Sequence, residues 1–422
     1  MSAYLGLLRR NPGYTRLWLA QAVSLLGDWF NTIVLSAFVT AYSPDASKGL
    51  AISGLLLARF LPPLLVSPFT GVLVDRFDRK RLLIASDLLR AVIVLLFLLV
   101  DGPDRLWLIY ALTVVQFTLS SVFEPGRSAL IPSLVRQEDL VAANTLGSVT
   151  WSVMLAAGAA IGGFVAGLVG TSFALVVDSL TFLVSALLIM QIKSRVFSAA
   201  QPVSERPASK ATFADGLRFI ASRPDVAAAL LIKMGGSLGT IDLLMIVYAT
   251  TFFVLGENGT LSLGIMWSAF GIGAFIGPQL LNRLNNGTVR VQRRLIIIGY
   301  TWLSLGWLLF GLAPTLLIAS LALAVRAMGG SVYWTYSSII LQKSVPNAYL
   351  GRVFAMDQAG FNLSIVISTL VVGRLVDVLG TGQARNIAFG TLLVSLIPLA
   401  LWTLAVQWLE RRERKLVPSI VE

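Results

Sequence analysis

The sequence predicts an all-α membrane protein in which twelve transmembrane helices form two pseudo-symmetric six-helix bundles. Two observations of composition lead to this fold class: 56% of the 422 residues are hydrophobic, and only 13% are charged. The apolar residues come in blocks of the length, about 20 residues, that crosses the hydrocarbon core of a bilayer. A third observation is that the two halves of the chain carry similar segments in the same order.

Charged clusters and Gly, Pro and Asn turns divide the apolar blocks into predicted spans. The first six spans cover 15–42, 50–74, 82–100, 106–122, 140–168 and 171–192. The second six cover 226–255, 261–281, 295–312, 315–337, 352–379 and 387–408. The long polar stretch between them predicts three regions: an N-terminal bundle at 1–192, a cytoplasmic linker with an amphipathic segment at 193–224, and a C-terminal bundle at 225–422.

The distribution of basic residues predicts which side of the membrane each loop faces. Of the 33 Lys and Arg residues, 25 lie in or at the edges of the segments that share a side with the N-terminus, and five lie within spans. The opposite loops hold only Lys48, Arg105 and Arg385. Because Lys and Arg accumulate in cytoplasmic loops, we expect a multi-pass protein of the cytoplasmic (inner) cell membrane with both termini in the cytoplasm.

Composition also excludes several classes of chemistry. The chain has no Cys and no His, which rules out disulfides, thiolate nucleophiles, Cys/His zinc sites and imidazole bases. The net charge of +12 lies in short clusters between apolar blocks, where it suits anionic lipid headgroups and not nucleic acid. The sequence contains no phosphate-binding loop or metal-ligand cluster, so neither an enzyme nor a bound cofactor is predicted.

The two halves of the chain look like an internal duplication. The run LIPSLVRQEDLVAANTL at 130–146 resembles IILQKSVPNAYLGRVFAM at 339–356, and each run follows the fourth span of its half. The loops at 74–84 and 281–297 correspond in the same way. Duplication of this kind is the usual construction of secondary transporters, whose substrate site lies near the bilayer midplane. It also lets a monomer form a complete pathway.

The loop after the second span contains the run GVLVDRFDRKR at 71–81. This run resembles the signature loop of the major facilitator superfamily, G-x-x-x-D-R/K-x-G-x-R/K-R/K, with Asp78 where Gly is usual. Span count, duplication and length agree with that superfamily over essentially the whole chain. The resemblance implies a transporter in which two bundles rock around a central cavity.

Three further stretches resemble the branch of bacterial drug exporters that includes macrolide-efflux proteins and the enterobactin exporter. These are LWLAQAVSLLGDWF at 17–30, FEPGRSALIPSLVRQEDLVAANTL at 123–146 and QKSVPNAYLGRVFAMDQ at 342–358. The resemblance implies proton-driven export of small amphiphilic compounds, such as drugs or siderophore-like metabolites. The fifth span carries the small residues Gly158, Gly162 and Gly163 where antiporters of the superfamily often have G-P-x-x-G-G, with Ala159 in place of Pro.

The basic loop after the second span also contains the residues expected to form a gate. The residues of this loop assigned to the gate are Gly71, Asp75, Arg76, Arg79, Lys80 and Arg81. We expect Asp75 to accept hydrogen bonds from backbone N–H groups at the start of the eleventh span, near Gly351 and Arg352, and so to latch the inner side shut. For the Arg and Lys residues, a role in membrane topology is the simpler interpretation, since every inside loop is basic.

Ionisable residues within the spans are the candidate coupling sites, because a charge at mid-membrane is costly and marks function by default. Asp28 lies near the centre of the first span, and Asp242 lies in the seventh, its repeat counterpart. Arg59, in the outer part of the second span, is expected to attract an anionic group or to pair with Asp28. Lys233 is expected to snorkel or to contact another helix.

The expected mechanism is alternating access, in which a buried acid exchanges a proton for a cationic substrate because one carboxylate cannot hold both. The proton gradient would supply the energy. The expected partners are the amphiphilic substrate, protons and membrane lipids. Two alternatives stay open at this point: a flippase for lysophospholipid or another lipid on the same fold, and a membrane receptor that transports nothing.

Overall fold

The computed structural model of the chain describes residues 2–192 and 213–416, and the regular elements of this part are helical. The α-helices are α1 (Ser2–Arg10), α2 (Pro12–Tyr42), α3 (Lys48–Arg76), α4 (Arg79–Leu96), α5 (Leu106–Leu130), α6 (Leu140–Leu168), α7 (Thr171–Met190), α8 (Phe213–Ser222), α9 (Pro224–Gly236), α10 (Ile241–Thr251), α11 (Thr260–Asn282), α12 (Val289–Leu312), α13 (Leu316–Ser344), α14 (Asn347–Leu379) and α15 (Ala384–Leu416). Short 3₁₀ helices cover Asp45–Ser47, Phe97–Leu99, Pro103–Arg105, Ile131–Ser133, Gln137–Asp139, Glu257–Gly259 and Thr381–Gln383.

Twelve helical segments of the described chain are long and apolar enough to cross a membrane, which confirms the predicted fold class and span number. Eleven of them are formed by α2 to α7 and α11 to α15, and the remaining one is formed by α9 and α10 together. Helix α8 occupies the place of the predicted amphipathic segment. Its Phe219 stacks on Tyr349 of α14, with 4.6 Å between the ring centroids.

The first compact unit contains the described residues up to 192 together with 245–268. Within it α2 packs against α6 and α7, α4 packs against α5 and α7, and α3 packs against α5. The unit has an apolar core next to α1 that includes Leu17, Leu83 and Phe123. There the Tyr14 hydroxyl donates a hydrogen bond of 2.7 Å to the Ala143 carbonyl, which fixes α2 against α6.

The second compact unit contains the described residues from 213 to 244 and from 269 onward. Helix α12 packs against α13 and α15, and α9 packs against α13, α14 and α15. Glycines let α12 and α13 approach backbone to backbone: a Cβ atom added at Gly329 would lie 2.2 Å from the carbonyl oxygen of Gly299. Small residues of this kind are what allow helices to pack closely in a membrane, where the hydrophobic effect does not hold them together.

The seventh span, predicted as one segment at 226–255, is divided by residues 237–240 into α9 and α10. At the break Gly239 has a φ of +76°, in the left-handed region that favours glycine. Its backbone N–H donates to Ser368 Oγ of α14 at 3.2 Å, while Ser237 Oγ donates to the Lys233 carbonyl at 3.0 Å. These bonds satisfy backbone groups that a continuous helix would have paired, and they leave Asp242 in the first turn of a separate helix.

The predicted division into 1–192, 193–224 and 225–422 stays a prediction, since residues 193–212 lie outside the described part of the chain. Residues 245–268 lie within the predicted C-terminal bundle (225–422) but belong to the first compact unit. The reason is a close contact between α6 and α11, where a Cβ atom added at Gly163 would lie 2.7 Å from the Cα of Gly264.

Candidate functional site

Asp28 lies in the middle of α2 and forms a salt bridge with a base on another helix. Arg90 of α4 donates from Nη2 to Asp28 Oδ1 at 2.7 Å. The Arg90 side chain is 2% exposed and the Asp28 side chain is 23% exposed, so the carboxylate is the accessible member of the pair. The salt bridge that the structure shows for Asp28 is therefore with Arg90, whereas the sequence suggested Arg59.

Arg90 is shared with a second carboxylate on its own helix. Its Nη1 lies 3.4 Å from Asp87 Oδ1, one turn earlier on α4. The other oxygen of Asp87 accepts a hydrogen bond of 2.5 Å from Ser185 Oγ of α7. The guanidinium also lies 4.0 Å from the centroid of the Phe182 ring. One base thus ties α2, α4 and α7 together within the first unit.

A third carboxylate, Asp178 of α7, lies in the same region and is 0% exposed. Its charge interacts with those of Asp28 and Arg90, and Asn31 faces it from α2. Neither oxygen of Asp178 completes a hydrogen bond with a described residue, nor does the amide nitrogen of Asn31. Gly27 provides the space for this side chain, because a Cβ atom there would lie 2.4 Å from Asp178 Oδ1.

The interior of the first unit therefore brings three carboxylates to one guanidinium. Like charges repel strongly in a medium of low dielectric constant, and an ion without a counter-charge is costly at mid-membrane. Arg90 can neutralise one carboxylate at a time, so the cluster has more negative than positive charge when every group is ionised. Binding a proton or a small cation reduces that imbalance, which is the chemistry this arrangement can perform.

Arg59 of α3 reaches the same face of α2 one turn away from Asp28. Its Nη1 donates to Thr32 Oγ1 at 2.6 Å, and the Thr32 hydroxyl donates to the backbone carbonyl of Asp28 at 2.7 Å. The guanidinium lies 5.1 Å from the centroid of the Phe117 ring of α5. Arg59 is thus held by a hydroxyl and an aromatic ring beside the cluster.

The three small residues predicted in the fifth span all lie at helix contacts of the first unit. Gly158 and Gly162 of α6 face Trp29 and the backbone next to it, directly after Asp28 in sequence. Gly163 makes the close contact with Gly264 described above. Trp29 in turn lies 5.1 Å from the ring of Trp267. Gly158 and Gly162 thus fix α2 beside the carboxylate cluster, a structural use of the motif that its sequence alone did not specify.

The second unit contains a separate set of buried charges. Lys233 of α9 and Asp357 of α14 form a salt bridge of 2.5 Å, and their side chains are 4% and 1% exposed. The ammonium group lies 4.4 Å from the centroid of the Trp334 ring. The expectation of an interhelical contact for Lys233 agrees with this pair. Asp242 of α10 lies close enough to Arg326 of α13 for their charges to interact.

The gating motif is described only in part. Asp78, at the position where Gly is usual, caps the N-terminus of α4 by accepting a hydrogen bond of 2.8 Å from the Arg81 N–H. Lys80 donates to the carbonyls of Met190 and Ile192, at 2.8 and 2.7 Å, and so caps the C-terminus of α7. The side chains of Gly71, Asp75, Arg76, Gly351 and Arg352 lie outside the described part of the chain. The latch between them stays a prediction, as does a gating role for Arg79.

The comparisons with known proteins agree with this architecture. The family model described as "Transmembrane secretion effector" (MFS_3) matches residues 6–416. The chain belongs to the major facilitator superfamily. Members of this superfamily are transporters and not enzymes, and the twelve spans of the chain are those of a membrane transporter of this type.

Curated relatives of this transporter include proteins named as exporters. BacE of Bacillus subtilis, whose name assigns it to bacilysin export, is 28% identical over 91% of the chain and 92% of its own length. Macrolide efflux protein A of Streptococcus pyogenes is 23% identical over 90% of the chain and 92% of its own length. Both relatives match across almost their full length, so the chain is related to exporters of small molecules.

Solved structures of similar fold have lower sequence identity and support the fold alone. A bacterial homologue of the human lysosomal transporter Spinster, solved in an inward-facing and unoccupied conformation, is 14% identical, with a TM-score of 0.73 over 94% of this chain and 96% of that one. A bacterial homologue of the iron transporter ferroportin is 14% identical, with a TM-score of 0.69 over 94% and 98%.

Sequence reasoning identified the individual charges but did not identify Arg90 as the centre of the cluster. In the sequence, Asp87 and Arg90 stand three residues apart, a spacing that places them on one face of a helix. For the contacts between different helices, the available signal was the presence of Asp28, Asp178 and Arg90 within apolar spans of the same half. That signal indicates buried charges, but it does not indicate which helix faces which.

Proposed function

We propose that this transporter exports small amphiphilic compounds from the cell by alternating access, with the proton gradient as energy source and Asp28 as the coupling carboxylate. The observation that carries the proposal is the excess of carboxylates around Arg90, of which Asp28 is the accessible member. An accessible carboxylate beside a shared base can give up its salt bridge to that base and bind a proton or a cationic group of a substrate instead.

The proposed cycle follows from competition for Asp28. Protonation of Asp28 removes the negative charge that holds Arg90, and Asp87 and Asp178 then remain as ionic partners for the guanidinium. A cationic substrate that binds Asp28 excludes the proton, so the entry of one favours the release of the other. Asp242, in the first turn of α10, is the proposed second coupling site, and Arg59 is proposed to modulate the charge balance beside Asp28.

The relatives support an outward direction of transport and a drug-like substrate. Their names assign bacilysin export to BacE and macrolide efflux to the streptococcal protein. The basic inside loops support a location in the cytoplasmic membrane with both termini in the cytoplasm. The proposal requires no cofactor and no nucleic acid. One monomer, with membrane lipids around it, is the proposed working unit.

The test is the accumulation of a macrolide and a cationic dye in a pump-deficient bacterial host. Cells carry wild type, Asp28→Asn, the control Asp101→Asn or empty vector, each with and without a protonophore. Asp101 suits as a control because its side chain is 71% exposed. We expect wild type and Asp101→Asn to lower accumulation, and we expect Asp28→Asn or the protonophore to abolish that effect. Export that survives both treatments would contradict the proton-coupled mechanism.

A groove between α3 and α5 favours lipid transport as a second candidate function. Its volume is about 810 Å³, and its walls are mostly apolar, with Leu57, Leu61, Pro62 and Val114 among them. An apolar groove along spanning helices would suit an acyl chain. If a fluorescent lysophospholipid is transported by proteoliposomes that contain the protein, and neither the dye nor the macrolide competes, the lipid alternative replaces drug export.

A further inference from the structure

Arg326 is a buried cation in the second unit with aromatic walls. It lies in α13 and is 7% exposed. The Trp307 ring lies 4.9 Å from its guanidinium carbon, and the Phe270 ring lies 5.8 Å away. Gly306 of α12 lets the two helices approach closely at this residue, because a Cβ atom there would lie 2.4 Å from the Arg326 Cβ. The side chain therefore starts from a tight helix contact and ends between two aromatic rings.

The donors of this guanidinium are not used within the described part of the chain. Arg326 makes no hydrogen bond and no salt bridge there, and its Nε is fully buried without a partner. The indole Nε1 of the adjacent Trp307 is likewise buried and without a partner. A guanidinium carries five N–H donors and no acceptor. Leaving such donors unsatisfied in a dry interior is costly, so their persistence points to a group that binds there.

Arg90 of the first unit shows what a structural arginine looks like in this protein. It is even more deeply buried, at 1% exposed, yet two carboxylates hold its terminal nitrogens at 2.7 and 3.4 Å. For Arg326 the acid that acts electrostatically is Asp242, in the first turn of α10 after the break in the seventh span. Just before it, the buried hydroxyl of Thr240 also has no partner among the described residues.

The chemistry of these donors selects the ligand. Arg326 and Trp307 both present N–H groups, so the complementary group is an acceptor, and the buried positive charge favours an anion. A planar carboxylate matches the fork geometry of a guanidinium, and the aromatic rings beside it suit an apolar body. Water would satisfy the donors but would not neutralise the charge.

We propose that Arg326 and Trp307 form a subsite for a carboxylate on the transported compound, so that the substrates include amphiphilic carboxylic acids. This inference deepens the proposed export function and rests on it in one respect: that the bound compound is also transported. The binding part of the inference stands separately, because it concerns a ligand and two side chains of the second unit.

The test compares two probes that differ in one group: dansyl-phenylalanine, with a free carboxylate, and its carboxamide. Binding is measured by fluorescence and by thermal shift on purified full-length protein in lipid nanodiscs. We expect wild type to bind the carboxylate about 10- to 100-fold more tightly than the carboxamide, as for hydrogen bonds to a charged group. Arg326→Gln is expected to remove that preference and to leave carboxamide affinity within about threefold.

Three further variants separate binding from folding. Trp307→Phe keeps an aromatic ring but removes the Nε1 donor, and we expect it to weaken carboxylate binding by about tenfold or less. Arg290→Gln is the control, since its side chain is 52% exposed and pairs with Glu413, and it should keep the full preference. Arg326→Lys keeps the charge without the planar fork and should retain part of the preference, which excludes misfolding as the cause of a loss.

The outcomes distinguish this inference from the export proposal. Equal binding of the two probes, binding of neither probe at millimolar concentration, or an unchanged preference in Arg326→Gln would overturn the carboxylate subsite. If the preference depends on Arg326 but cells show no efflux, the subsite stands and the export proposal fails. If efflux depends on Asp28 while Arg326→Gln exports an acidic and a neutral probe as wild type does, the export proposal stands and the subsite fails.

Discussion

In the first compact unit, two carboxylates form salt bridges with the guanidinium of Arg90, and a third, Asp178, interacts with it electrostatically. In the second unit, Lys233 and Asp357 form a matched pair, while Arg326 has no salt bridge among the described residues. Both arrangements place ions inside apolar helices, but one has an excess of acid and the other an unsatisfied base. Burial of charge therefore has different consequences in the two units: a proton would relieve the excess of acid in the first, and an anion would satisfy the base in the second.

Arg90→Gln should have the largest effect, because it leaves three carboxylates without their base. Breaking a buried ionic network by removing one partner costs about 3–5 kcal/mol of unfolding free energy. Protonation relieves the repulsion among the carboxylates, so the deficit should shrink as the pH falls. Denaturant unfolding in detergent at pH 5 and pH 8 measures this, with Arg105→Gln, 52% exposed, as control. An equal deficit at both pH values would contradict the shared-base account.

Lys233→Met tests the matched pair of the second unit. It leaves Asp357 buried without its base, and we expect a loss of about 3 kcal/mol. The double variant Lys233→Met/Asp357→Leu should recover most of that loss, because it removes both charges and fills the space with apolar atoms. A double-mutant cycle measures the coupling. If the double variant is less stable than Lys233→Met alone, the pair is not the self-contained unit that its 2.5 Å geometry indicates.

Arg326→Met should have the smallest effect on the free energy of unfolding, and it distinguishes Arg326 from the paired charges Lys233 and Asp357. Since Arg326 makes no hydrogen bond or salt bridge within the described chain, its removal breaks none, and we expect the ligand-free stability to stay within about 1 kcal/mol of wild type. The same unfolding measurement as for Lys233→Met provides the comparison. A loss as large as that of Lys233→Met would mean that Arg326 is a structural ion whose partner is already present.

The sequence predicted the spans well because long apolar blocks report directly on the membrane. The sequence also places Asp87 and Arg90 on one face of a helix through their spacing of three. It did not predict that Arg90 contacts Asp28, since the two are 62 residues apart and their meeting depends on how α2 and α4 pack. The break in the seventh span was missed for a related reason. Glycines near the break are equally compatible with close helix packing and with an interruption of the helix. Only the positive φ of Gly239 shows that they interrupt it.

Infrared spectroscopy of the carboxyl groups shows whether the first unit carries a proton that the second does not. Wild type, Asp178→Asn and Asp357→Asn are reconstituted in lipid and compared at neutral pH. The account predicts a protonated carboxyl band in wild type that Asp178→Asn removes, because Asp178 is the acid without a hydrogen-bond partner in the described cluster, and that Asp357→Asn leaves in place. A wild-type spectrum without this band, or a band that only Asp357→Asn removes, would contradict the account.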